Sequence, residues 1–169
     1  DALQRRGASG FSAVLAVGKA AAGLARGTRD IPGALSESPR RLLIRPSSSP
    51  ALLDPGWEQA SGGHPLPDRH SVAAGERLRR WLTGIDPSQT LLALISGGAS
   101  ACVELPAPGL EVEDLVATQR ALLGAGLPIH TIDAVRKHLS ALKGGGALGL
   151  TRGRVLALLL SDVPGDDPS

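Results

Sequence analysis

The chain of 169 residues has no methionine, no tyrosine, one phenylalanine, two tryptophans and one cysteine. Each scarcity narrows the reading. Aromatics make up 2% of the residues and apolar side chains 42%, so the core has to be assembled from Ala, Val, Leu and Ile, which suits helices laid closely on a sheet. The single cysteine, Cys102, excludes an internal disulfide and fits a reducing cytoplasm. No run approaches the roughly 20 apolar residues of a membrane-spanning helix. A net charge of +2, with no basic stripe interleaved with aromatics, argues against nucleic acid. Neither a membrane nor a nucleic-acid partner is therefore expected. The missing methionine and a last stretch that stops in a loop just after an apolar run lead us to expect one domain, cut at both ends, of a longer protein. Lysine is scarce as well. Only Lys19, Lys137 and Lys143 stand among 18 basic residues, a hint that lysine is kept where a compact ammonium is needed.

What is present is organised around Leu91 to Cys102, LLALISGGASAC. An apolar run stops at Ser96-Gly97-Gly98 and small residues follow, which reads as a buried parallel strand, a glycine turn and a helix start. Such a junction aims backbone N–H groups at one spot, and glycines without Cβ atoms let an anion approach closely. An ordinary strand-to-helix turn would share the pattern. Phe11 to Val17, FSAVLAV, followed by Gly18-Lys19 and an alanine-rich stretch, repeats the theme. Lys19 is expected in the first helical turn, where the macrodipole disfavours a cation unless an anion is near; a solvated lysine is the plainer alternative. The spacing is not that of a Walker loop, because position 13 is alanine.

Between these junctions, residues 26–41 read as an irregular connection, Leu42-Leu43-Ile44 as a brief strand, and the passage to Gly62-Gly63-His64-Pro65-Leu66-Pro67-Asp68 as loop. Two prolines stiffen that last segment, so His64 and Asp68 either bind substrate or cap and brace the loop. Ser71 is the expected N-cap of a helix to about Leu82. Glu111 to Leu123 repeats apolar residues as an amphipathic helix. Ile132 to Lys143 is expected to be one helix that lines up Arg136, Ser140 and Lys143, with Gly144-Gly145 just beyond. The last apolar run, Val155 to Leu160, is read as a buried strand ending in Ser161-Asp162-Val163-Pro164-Gly165-Asp166-Asp167, carboxylates that call for cations or Mg²⁺. Alternating strands and helices argue an α/β fold: a three-layer, mostly parallel, Rossmann-like sheet with helices on both faces. At its carboxyl edge Lys19, the glycine turn, Asp162 and Asp166 would meet, a set of groups suited to phosphoryl transfer.

The motifs GKAA at 18–21, GGHPLPD at 62–68, LISGGASA at 94–101, VRKHLSALKGG at 135–145 and SDVPGDD at 161–167 resemble the N-terminal domain of the glycerate 2-kinases, the group with a C-terminal MOFRL domain that is also described as hydroxypyruvate reductases. The resemblance implies ATP-dependent, Mg²⁺-assisted phosphorylation of D-glycerate, with 2-phosphoglycerate the favoured product. It makes residues 1–169 the N-terminal domain, the MOFRL domain being the partner that is absent, together with an arginine that completes the site. It also implies that Lys19 is the active-site lysine and Asp162 the strand-end aspartate. On both lines Lys19 and Asp162 are the catalytic candidates, Asp162 and Asp166 the Mg²⁺ candidates. His64, Asp68, Ser96, Gly97, Gly98, Ser100, Arg136, Lys143, Gly144 and Gly145 are the candidates for holding substrate or nucleotide. Asp133, where the family often has Asn, and Gly146, where arginine or another residue often follows KGG, depart from the pattern. An NAD(P)H-dependent hydroxypyruvate reductase and a non-catalytic anion-binding module are the competing readings; no GxGxxG opens a helix, which counts against the first. A homodimer is left open.

Overall fold

The run FSAVLAV has no polar residue after Ser12, and only a strand covered on both faces can use such a sequence. In the computed structural model, which describes residues 10–30 and 33–161, it is β1 (Phe11–Val17) at the centre of a sheet. The elements that follow are α1 (Ala21–Gly27), a 3₁₀ turn (Thr28–Asp30), β2 (Leu35–Pro46), β3 (Glu58–Gly62), α2 (Arg69–Thr83), β4 (Thr90–Ser96), α3 (Ala99–Cys102), α4 (Val112–Gly124), α5 (Ile129–His138), α6 (Gly146–Gly149) and β5 (Arg154–Leu160). The strands pair in the order β3-β2-β1-β4-β5, and every pairing is parallel. Helical layers cover both faces, as expected. On one, Ala13, Leu15, Val17, Leu42, Ile44 and Leu91 pack under Ala74, Leu78, Trp81 and Leu82 of α2. On the other, Val14, Ala16, Leu43 and Leu92 pack under Ala21 and Ala25 of α1 and under Leu52 and Trp57. The alanines let α1 approach closely, and the three aromatics all lie in these two layers, each no more than 6% exposed. No described helix is long and apolar enough to cross a membrane.

Because β1 leads to β2 on one side and β4 lies on the other, the order reverses between β1 and β4. The crevice outside the carboxyl ends of those two strands is where ligands bind in open α/β sheets. The register puts Val17 opposite both Ile44 and Ile95, so the turns at Gly18 and Gly97 leave the sheet side by side.

Several elements differ from expectation. β2 begins at Leu35, well inside the stretch read as irregular, because Ser36 to Arg41 runs extended beside β1 with a register shift between Phe11 and Ala13. β3, EQASG, was expected to be loop; it is an edge strand in which only Gly62 is buried, so it needs no apolar run. α2 is capped by Asp68, not Ser71: Ser71 is the third helical residue and completes a capping box with Asp68. α4 buries only Val112 and Leu115, and Leu123 is exposed. α5 stops at His138 rather than Lys143, because residues 139–141 pair with residues 105–107: Ala107 N donates to Leu139 O at 2.9 Å and Ala141 N to Leu105 O at 2.8 Å. β5, read as buried, is an edge strand among the described residues, with Leu159 64% and Leu160 52% exposed.

Candidate functional site

The two glycine turns form one unit. Gly18 N donates to Ile44 O at 3.0 Å and Lys19 N to Gly97 O at 2.9 Å. The Ser96 hydroxyl accepts from Ala20 N at 3.0 Å and donates to Val17 O at 3.2 Å. Ser96 thus joins the two turns through a buried hydroxyl. Gly18 has φ +110°, and a Cβ there would stand 2.5 Å from Ser96 Oγ and 2.8 Å from Gly97 O; the glycine is required by the approach of the second turn. Lys19 precedes α1 rather than lying in its first turn, since Ala20 is the N-cap. α1 has seven residues and α3 only four. Little macrodipole is therefore available at these helix starts.

His64 completes this group. Gly98 adopts φ +82°, and a Cβ on it would meet His64 Cδ2 at 3.0 Å, His64 Nε2 at 3.1 Å and Lys19 Cγ at 3.1 Å. The imidazole and the lysine stem therefore flank the second glycine, both from exposed residues. Asp68 holds the loop that carries His64. Its Oδ1 accepts from Gly63 N at 3.0 Å, Ser71 N at 2.8 Å and Ser71 Oγ at 3.1 Å. Burial pushes the Asp68 carboxyl up, but the donors from Ser71 and Gly63 outweigh it and hold it below the ordinary aspartate value. These contacts brace the loop through Asp68 Oδ1.

A second group stands behind α3. Arg136 Nη2 bonds Ser100 Oγ at 2.7 Å and Ser100 O at 3.3 Å, while Nη1 bonds Asp133 Oδ1 at 2.9 Å. Arg136 so ties α5 to the end of the glycine turn, and the acidic residue at position 133 steers it. The third group is buried. Glu104, 2% exposed, accepts from Leu105 N at 3.0 Å, from the Ser140 hydroxyl and from the Lys143 ammonium. Burial draws Lys143 below the ordinary lysine value; Glu104 pulls the other way without overcoming it. Cys102 is fully buried and burial pushes its thiol up to about 11, so it stays protonated and is no nucleophile at neutral pH.

The chain matches, over residues 3–169, a family model described as a domain of unknown function, DUF4147. The chain belongs to the DUF4147 family. It is 35% identical over 159 residues to a glycerate 2-kinase of Pyrococcus horikoshii, covering 91% of this chain and 34% of that protein. A protein of Agrobacterium vitis provisionally named hydroxypyruvate reductase is 45% identical over 107 residues, covering 63% and 28%. The crystal structure of a glycerate kinase from Thermotoga maritima superposes with a TM-score of 0.82 at 34% identity, over 93% of this chain and 38% of that one. The chain thus spans about a third of the length of these relatives.

Within this DUF4147 domain the predicted residues divide plainly. Lys19, His64, Gly97 and Gly98 come together at the switch point, with Ser96 and Asp68 bracing them. Ser100 and Arg136 meet each other one layer back. Lys143 is turned to Glu104; the early end of α5 removes it from the helical face it was expected to share with Arg136. Gly144 (φ +60°) and Gly145 (φ +93°) form the turn into α6, and Gly144 lies against the Lys137 stem. Asp162 and Asp166 lie outside the described residues. Among the described residues no cluster of three His, Cys, Asp or Glu forms a metal site. Glu104 was missed. Its signal in the sequence was a lone carboxylate in the short apolar stretch Cys102-Val103-Glu104-Leu105 that leads into Pro106.

Proposed function

We propose that this domain is the N-terminal domain of an ATP-dependent D-glycerate kinase that forms 2-phosphoglycerate. The observation that carries the reading is the convergence of Lys19, His64 and Gly98 on the switch-point edge of the sheet. Phosphoryl transfer needs chiefly positioning and charge neutralisation. The Lys19 ammonium neutralises the transferring phosphoryl group or the glycerate carboxylate, the Gly97-Gly98 backbone admits that anion, and the His64 imidazole donates to or accepts from its hydroxyl side. Asp162 is the proposed general base or Mg²⁺ ligand with Asp166 behind it, and Mg²⁺ would neutralise nucleotide phosphate charge. One or two carboxylates suffice, because Mg²⁺ is commonly held by few side chains plus substrate phosphates. The second wall of the cleft is the C-terminal domain, which fits the share of the relatives' length that this chain spans.

The strand order also suits a dinucleotide, which keeps the reductase reading in view. Against it, the β1–α1 turn reads Gly18-Lys19-Ala20-Ala21-Ala22-Gly23, and the space a pyrophosphate would need beside Gly18 is filled by Ser96 and Gly97. The test uses the complete protein and measures ADP release with D-glycerate beside NADH consumption with hydroxypyruvate. ADP release alone is expected; NADH consumption alone would establish the reductase, and neither signal the binding module. Lys19→Ala should lower kcat by about 10²-fold or more with the thermal transition unchanged, and near-normal turnover would remove Lys19 from the mechanism.

A further inference from the structure

At the opposite end of α2 from His64, three guanidinium groups and an indole surround an open recess of about 270 Å³, lined by Arg40, Glu58, Arg77, Arg80 and Trp81. We propose that this recess binds a phosphate-type anion of diphosphate size, at a second site distinct from the switch-point edge. Arg40 comes four residues before Ile44, which stands level with Val17 at the end of β1, and Glu58 stands level with Leu42. At ~3.3 Å per residue Arg40 is about 13 Å below the carboxyl end of β1, too far for one small ligand to reach both.

Cations near a helix C-terminus are common, since the macrodipole favours them, and that accounts for Arg77 and Arg80 taken alone. It does not account for Arg40, which is supplied by the sheet. Arg40 is fixed in place: its Nη1 donates to Gly84 O at 2.7 Å, and its guanidinium carbon stands 5.4 Å from the centroid of the Trp81 ring. That leaves the rest of a planar fork pre-oriented, the arrangement that recognises phosphate oxygens bidentately. The other two arginines are weakly engaged. Arg77 reaches Gln59 O at 3.4 Å, and Arg80 approaches Glu76 at 3.8 Å, a carboxylate that Arg79 already holds at 2.8 Å. Glu58 is the one carboxylate in the wall, so three positive groups face one negative group. Trp81, 3% exposed, has a buried indole N–H with no acceptor among the described residues. An oxyanion among the three guanidinium groups would supply the missing negative charge, and the Trp81 indole beside Arg40 would report it.

The test needs no assumption about the reaction. In the complete protein, the indole N–H resonance of Trp81, assigned by its loss in Trp81→Phe, is followed while sodium pyrophosphate is added at constant ionic strength. A saturable shift is expected. Arg77→Glu with Arg80→Glu, both at exposed positions that leave the fold intact, should weaken it by about tenfold or more. Lys19→Ala, which disables the proposed kinase edge, should leave it unchanged. A parallel titration with ATP separates the sources: tighter binding with the same arginine dependence assigns a nucleotide, equal or weaker binding assigns inorganic phosphate chemistry. An unmoved Trp81 resonance at millimolar pyrophosphate, or equal shifts in parent and double variant, would overturn the site. Loss of kinase activity in Lys19→Ala with the Trp81 response intact keeps the two proposals separable.

Discussion

Removing Lys143 should expose the cost of a buried carboxylate left without its counter-ion. The Glu104 side chain is 3% exposed and that of Lys143 15%, so the pair is largely out of water. Breaking a buried ion pair by deleting one partner typically costs about 3–5 kcal/mol. Which partner is deleted matters here. In Glu104→Ala the ammonium is left on a flexible stem close to the surface and can turn towards water. In Lys143→Ala the carboxylate stays behind, held only by the Ser140 hydroxyl and Leu105 N, a buried charge without its counter-ion. Lys143→Ala is therefore expected to cost more than Glu104→Ala. At about 2–4 °C per kcal/mol for a domain of this size, the transition should drop by roughly 6–20 °C near pH 7.5. Calorimetry of the complete protein, following the transition that carries this domain, reads the drop in both variants. Glu104→Leu with Lys143→Met should recover most of the loss, since a packed apolar pair replaces a desolvated ionic one. A loss below about 1 kcal/mol, or a larger loss in Glu104→Ala than in Lys143→Ala, would refute the reasoning.

The remaining predictions concern the turns and the brace. Gly98→Ala should lose about 1–2 kcal/mol from its left-handed backbone and, on the proposed kinase reading, raise the KM for D-glycerate by displacing His64 and Lys19, whereas Gly23→Ala, with nothing within 4 Å of its Cβ, should be neutral or stabilising; denaturant melts and kinetics of the pair decide. Asp68→Ala should cost about 0.5–2 kcal/mol as a lost cap. Because the Asp68 carboxyl is held below 3.8, that contribution is fully present above the ordinary value and is lost as pH falls through the lower folded one, so melts of parent and variant should converge in acid. The buried Cys102 thiol should resist alkylation at pH 8 in the native protein and react after denaturation, read on its peptide by mass spectrometry.

Legibility in the sequence followed burial. β1, β4 and β5 announce themselves as apolar runs, whichever way they are covered, although the run alone did not reveal that β5 forms an open edge. β3 does not announce itself, because an edge strand of Glu58-Gln59-Ala60-Ser61-Gly62 can be held by backbone pairing to β2 without an apolar face. The end of α5 was misplaced for a related reason. Helical periodicity continues through Leu142 and Lys143, but the backbone of residues 139–141 takes a partner more than thirty residues away in sequence, at 105–107. Periodicity records which face a segment buries and cannot weigh a distant hydrogen-bond partner against the next helical turn.

The same distinction runs through the candidate site. The glycine turns, Lys19 and His64 could be read as chemistry because each breaks a local rule: glycine ending a strand, a cation next to a helix start, a histidine among prolines. Their bracing could not. Ser96 looks like one more polar residue in the cradle, yet its hydroxyl is consumed in joining two strands that lie nearly eighty residues apart in the chain. Lys143 looks like a cation for a phosphate, yet a carboxylate outside every motif claims it. A residue type states what a side chain can do. Only the folded neighbourhood states whether that capacity is already spent, as the Ser96 hydroxyl is on the two turns and Lys143 is on Glu104.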